Sequence, residues 1–183
     1  TSEYVRLWGG IATINGTLRV DSGQEFMVFN SASDIRVSSS GKITGAGRLY
    51  LYYGCSMTQQ DGIIDVAIMR VESNNTLGFG TIVPSTIKSA SVTFLVSGST
   101  NRTIVFSAGS YIFYGSITFG SNTSTGTLTV DNSTNNPNFI FNGNVTLTDG
   151  TSTLTWTKGT GTITIGGTST QSLNFLGKTV EDI

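Results

Sequence analysis

Asp61 and Asp65, four residues apart in DGIID, are the first groups along this sequence that could do chemistry together. On one extended strand they would share a face. Two carboxylates about 5 to 10 Å apart can cleave a glycosidic bond, and a larger oxygen cluster can hold calcium. Gly62 and the apolar pair Ile63–Ile64 argue instead for a turn that leads into a strand, and no Asp-rich loop of calcium spacing surrounds them. Asp131, Asp149 and the Glu181–Asp182 pair each stand at the end of a strand pattern, where carboxylates cap turns. The chain has 11 acidic residues, no histidine and a single cysteine, Cys55. A chain without histidine has no His-based acid–base catalysis and none of the usual His ligands for catalytic zinc or non-haem iron. Cys55 has no partner for an internal disulfide and reads as a small buried apolar residue. The sequence thus predicts no enzyme, no cofactor and no metal site.

Two tyrosine clusters are better candidates for contact with a ligand. RLYLYYG carries Tyr50, Tyr52 and Tyr53, and SYIFYG carries Tyr111, Phe113 and Tyr114. Aromatic faces suit sugar rings, so Tyr50, Tyr52, Tyr53, Tyr111 and Tyr114 are candidate carbohydrate contacts. Within each cluster the alternate residues should fill the core. Six Asn-X-Ser/Thr sequons, at Asn15, Asn74, Asn101, Asn122, Asn132 and Asn144, are candidate glycosylation sites in a secreted protein of a glycosylating host.

The elements that must position these side chains read as strands. Period-two patterns recur with turn residues between them: GTLRVD (16–21) with Leu18 and Val20 inward, GTLTVD (126–131) with Leu128 and Val130 inward, and the near copies GSITFG (115–120) and GTITIG (161–166). In those copies Ile117 and Phe119 match Ile163 and Ile165. DGIIDVAIMRVES (61–73) could follow a helical period, but its β-branched residues favour a buried strand. TLTWTKGTGTITIGG (153–167) alternates Thr153, Thr155 and Thr157, facing water, with Leu154 and Trp156, facing the core; Thr162 and Thr164 flank Ile163 in the same way. Thr127/Thr129 and Thr146/Thr148 form similar pairs. Such arrays resemble those of ice-binding solenoids, although the pairs recur at irregular spacing.

The charged fraction is 11 %, against about 25 % in an average soluble protein. The net charge of −1 comes from ten basic and eleven acidic residues, and no basic patch with interleaved aromatics stands out, so nucleic acid is not an expected partner. No apolar run reaches the roughly 20 residues that a membrane span needs, so membrane insertion is not expected. The apolar share of 37 % is too high for a disordered chain. Gly, Ser, Thr and Asn supply the water-facing surface. These features predict an all-β chain over residues 1–183 as one domain, with a subdivision conceivable near 80–97. Self-similar segments and stackable Thr, Ser and Asn favour a β-solenoid. Coils near 20 residues would give eight or nine layers and a rod of about 40 Å. The alternative is an antiparallel β-sandwich, for which Asn15-Gly16 and Asn142-Gly143 would close hairpins.

SSSGKITGAGRLYLYYGCSMTQQDGIIDV (38–66) and WTKGTGTITIGGTSTQSLNFLGKTVEDI (156–183) resemble the Gly/Thr-rich repeats of large secreted and phage-borne parallel β-helix surface proteins. The resemblance implies a right-handed parallel β-helix and an extracellular, cell-surface or virion setting. It transfers no catalytic residue.

The expected function is therefore a non-catalytic structural module that self-assembles or displays a surface, of the filament-subunit, appendage or surface-layer type. The alternatives are a carbohydrate-binding adhesin or tail-spike-like receptor-binding module, then a polysaccharide depolymerase or an ice-binding protein. The apolar residues Tyr4, Val5, Leu7 and Trp8 at one end, and Val180 and Ile183 at the other with no polar cap after them, predict open solenoid ends. The expected partners are copies of the same chain or more of a longer parent chain, with a glycan as a further candidate. Trp156 and Phe175 are expected in the core.

Overall fold

The computed structural model describes residues 3–52, 55–60, 62–73, 86–96, 98–99, 101–120, 125–149 and 153–183. Every pairing between these strands is parallel, which excludes the antiparallel sandwich. The fold is a three-faced parallel β-solenoid. Chain order around it visits a first, a second and a third face in turn. Asn15-Gly16 and Asn142-Gly143 lie at corners between faces, and the strands on either side of them do not pair.

The first coil is formed by β1 (Glu3–Ile14), which bends from the first face to the second, and β2 (Thr17–Arg19) on the third. In the next coils β3 (Gln24–Val37) rounds the same corner as β1, while β4 (Lys42–Tyr52) and β6 (Ile63–Ser73) run from the third face onto the first. β5 (Ser56–Gln60) continues the second face and β7 (Thr86–Ile87) the third. From there each face has its own short strand. The first face carries β8 (Ser91–Val96), β11 (Ser116–Phe119), β14 (Val145–Leu147) and β17 (Leu173–Asn174). The second carries β9 (Arg102–Val105), β12 (Thr127–Asp131) and β15 (Thr153–Thr157). The third carries β10 (Ser110–Phe113), β13 (Asn138–Phe141) and β16 (Ile163–Ile165). Six coils have described strands on all three faces.

Coils are longer and less even than the expected 20 residues. Arg48 pairs with Ile68, 20 positions on, but Ser110 pairs with Asn138, 28 positions on. The near copies GSITFG and GTITIG do not stack: Ile117 and Phe119 lie on the first face, Ile163 and Ile165 on the third. Any strand with one face buried between two turns needs the same alternation, so likeness marks the strand type and not the neighbour.

Inward residues stack in columns. On the first face Phe26, Leu49, Met69, Val92, Ile117 and Val145 form one column, and Val28, Leu51, Val71, Phe94, Phe119 and Leu147 the next. Toward the upper coils the core becomes aromatic, with Phe94 stacked on Phe119 at 5.0 Å and Phe139 on Phe141 at 5.7 Å. The buried apolar residues form one continuous cluster from Val20 to Ile163. Offset and edge-on ring pairs add about 0.5–1.5 kcal/mol each beyond area burial.

Asparagines tie coil to coil. The side-chain carbonyls of Asn101, Asn136, Asn138 and Asn144 accept the backbone N–H groups of Thr127, Thr160, Thr162 and Ser172 at 2.7–2.9 Å. The amide thus supplies at a corner the acceptor that a strand would supply within the ladder. Gly45 takes φ +122° beside the Val20 carbonyl, 2.2 Å from where a Cβ would sit, so a side chain there would collide with the coil below.

Val180 and Phe175 pack half-buried against the core, and Glu181 is 2 % exposed. The backbone of Asp182 pairs with Thr162. The segment after β17 thus runs on in the direction of the coils and lies against the last one, while Leu173, Leu176 and Ile183 stay 40, 41 and 74 % exposed, so apolar surface remains open at this end as the sequence predicts. At the opposite end Tyr4, Val5, Trp8 and Ile11 are exposed, and β1 pairs with β3 along one edge.

Candidate functional site

The outward side of the first face divides into two chemistries. On the upper coils it carries small hydroxyls, with Ser91 and Thr93 under Ser116 and Thr118, and Thr146 above them. On the first four coils it carries rings and charges in three columns: Tyr4, Glu25 and Arg48; Arg6, Met27, Tyr50 and Arg70; and Trp8 and Phe29, with Tyr52 and Glu72 continuing the line. Strand alternation places Tyr4, Arg6 and Trp8 on the same side of β1, opposite Val5 and Leu7.

Trp8 stacks on Phe29 at 5.3 Å with 13° between the planes, and Phe29 meets Tyr52 at 4.8 Å. Tyr50 meets Tyr52 edge-on at 5.5 Å. The Arg6 guanidinium lies 4.2 Å from the Tyr4 ring centre and 5.4 Å from that of Phe29. Arg48 reaches Glu25 at 3.3 Å and the Tyr50 hydroxyl at 3.4 Å, and Arg70 pairs with Glu72 at 2.7 Å. Burial, followed by the charge of Glu72, pushes the Tyr52 hydroxyl up to about 12, so it stays a neutral donor. A pile of rings presents mainly edges to the side. Trp8 is the end of the pile, 66 % exposed, and Tyr4, on the other side of Arg6, is 54 % exposed. A cavity of about 340 Å³ opens next to Tyr4, lined by the inward residues Val5, Leu18, Val20 and Phe26 and by Glu3, Arg19, Gln24 and Glu25.

The tyrosine candidates separate accordingly. Tyr52 lies on this face, while Tyr50 is only 9 % exposed and acts as its floor. Tyr111 is fully buried among Phe106 and Phe139, with its hydroxyl on Ser107, and is corrected from ligand contact to core. Tyr114 is exposed on the far side of the third-face strands, with the Lys88 ammonium 5.7 Å from its ring. Tyr53 lies outside the described residues. The exposed rings of this face that sequence reasoning did not single out as candidates are Tyr4 and Trp8. The signal was present as Tyr-x-Arg-x-Trp, a period-two stripe of rings around a cation.

The sequons also separate. Asn15, Asn101 and Asn144 are exposed. Asn132 is fully buried and its side-chain nitrogen donates to Glu181 at 2.7 Å, which corrects it as a glycosylation site. Asn74 and Asn122 lie outside the described residues.

The carboxylates hold structure. Asp65 faces Lys42 at 3.8 Å; Asp61 lies outside the described residues. Asp131 accepts from the Ser133 backbone and hydroxyl. Asp149 accepts the Leu154 N–H and the Lys178 ammonium, which together hold its carboxyl below the ordinary Asp range. Asp182 pairs with Lys158 at 2.6 Å. Among the described residues no group of three or more potential ligands gathers at a metal site. Cys55 is buried, and burial pushes its thiol up to about 12.

On the second face the threonines fall into register despite their irregular spacing in sequence. Thr103, Thr129 and Thr155 form one column and Thr127 and Thr153 another. Asp131 and Val105 interrupt the third.

No family model matches this chain, nor does any curated protein or solved structure.

Proposed function

We propose that this chain is a non-catalytic structural module of an extracellular, cell-surface or virion assembly: a stiff solenoid that holds a binding face in fixed geometry. The observation that carries this reading is the unbroken pair of inward columns from Phe26 and Val28 to Val145 and Leu147. Each coil rests on its neighbours, so the stack resists local opening. The carboxylates described above are spent on caps and ion pairs, in keeping with a scaffold. The edge of β1 that pairs with none of the described strands offers strand addition to a second copy or to further chain. Limited proteolysis tests the scaffold role. A stiff module survives proteinase K, which cuts after most residue types, at its described strands, whereas early cuts within β8 to β14 would contradict it.

A second reading is favoured by the stripe of Tyr4, Arg6 and Trp8: the face is a carbohydrate-binding surface. Two exposed rings flanking a guanidinium supply stacking and hydrogen bonding together. Binding to a glycan array that is lost in Trp8→Ala and kept in Tyr111→Phe supports it. Absence of binding to any glycan would remove it.

A further inference from the structure

We infer that the glycan taken by this face is anionic, with a carboxylate or sulfate held by Arg6 and a sugar ring lying on Trp8; this rests on the carbohydrate reading above. The three arginines of the face are not equivalent. Arg48 and Arg70 have carboxylate partners, Glu25 and Glu72. Arg6 is packed against rings instead, and among the described residues no carboxylate lies within ion-pair distance of it. A guanidinium laid against a ring keeps its planar fork of N–H groups free at the edge. That fork matches a carboxylate or sulfate with two parallel hydrogen bonds.

The spacing fits one acidic sugar. Arg6 and Trp8 are two residues apart on one strand, so their side chains leave the sheet on the same side about 7 Å apart. A ring resting on the open side of Trp8 can then turn its acid group toward Arg6. The cavity beside Tyr4 is a separate feature: Val5, Leu18, Val20 and Phe26 line it together with Glu3, Arg19, Gln24 and Glu25.

The test uses the full 183-residue chain on immobilised uronate- and sialate-containing glycans, beside the same glycans with their carboxylates reduced to alcohols. Binding to the acid forms should fall about tenfold or more on reduction. Arg6→Gln should lower binding to the acid forms about tenfold or more, and binding to the reduced forms by a clearly smaller factor. Trp8→Ala should lose both. Equal binding of acid and reduced forms, or an Arg6→Gln variant that binds the acid forms like the parent, overturns the anionic preference and leaves the carbohydrate reading standing. No binding of the parent chain to either form overturns both.

Discussion

The indole N–H of Trp156 donates to Glu181 Oε2 at 2.8 Å, joining the last second-face strand to a residue 25 positions later in the chain. The other carboxylate oxygen accepts from the Asn132 amide at 2.7 Å and the Gly159 N–H at 3.2 Å. One buried carboxylate thus satisfies three donors from two coils and the loop between faces. It pins the segment after β17 against the last coil.

Removing that carboxylate leaves its donors buried and unpaired. Glu181→Ala should cost about 3 kcal/mol in a denaturant titration. Hydrogen exchange should quicken at Gly159 and over residues 173–183 while β8 and β11 keep their protection. Uniform loss of protection along the chain would show that the segment is not a separate cap.

Core and surface truncations should differ sharply. Phe94→Ala and Phe139→Ala remove fully buried rings and should each cost about 3–5 kcal/mol. Trp156 and Phe175 were expected in the core and pack against it half-buried, so Phe175→Ala should cost less than Phe94→Ala. Thr155→Ala on the exposed second face should stay under about 1 kcal/mol. Equal costs at Phe94 and Thr155 would contradict the assignment of faces.

The strand grammar of this fold is plain in the sequence because burial on one face forces alternation. Leu18, Val20, Leu128, Val130 and Leu154 all turn inward as their patterns require. What stacks on what is not legible locally, since GTLTVD pairs with TLTWT and not with its near twin GTLRVD. Corner lengths set that choice, and they vary with turn geometry. The same limit applied to the site. Tyr50 and Tyr111 have equally aromatic surroundings in sequence, yet one floors an outward face and the other fills the core, because the parity of a strand is fixed only once its neighbours are known. Glu181 looked like one of two acids in a polar tail; its burial follows from a contact with Trp156 that no periodicity encodes.

Cys55 should be inert in the folded chain. Its thiol, pushed up to about 12 by burial, stays protonated at pH 8, so a thiol reagent should react only after denaturant is added. The folded state keeps this proton where the unfolded chain loses it from about pH 8.5 upward. Stability should therefore decline as pH rises above that point, and a Cys55→Ala variant should show a shallower decline. Rapid labelling of the native chain would contradict this placement.

Asp149 acts in the opposite direction. Its folded carboxyl titrates below the ordinary Asp value, through the Leu154 N–H first and Lys178 second. Its contribution is thus complete above about pH 4 and fades as pH falls through the lower folded value. Asp149→Asn should flatten the acid limb of a stability–pH curve and leave the curve at pH 7 to 9 parallel to the parent. An unchanged acid limb would show that the contacts do not favour the charged form.

When the chain is secreted from a glycosylating host, Asn15, Asn101 and Asn144 should be open to modification and Asn132 should not. Peptide mapping of the folded, secreted product checks this. A glycan on Asn132 would require the Glu181 network to be absent.

An exterior structural module must be reachable on intact particles or cells of the native source. Immunogold imaging without permeabilisation, with antibodies raised against the exposed second-face strands, checks this. The expected result is label on an outer surface, appendage or filament. Label confined to the interior after permeabilisation, with none on the intact exterior, would contradict it.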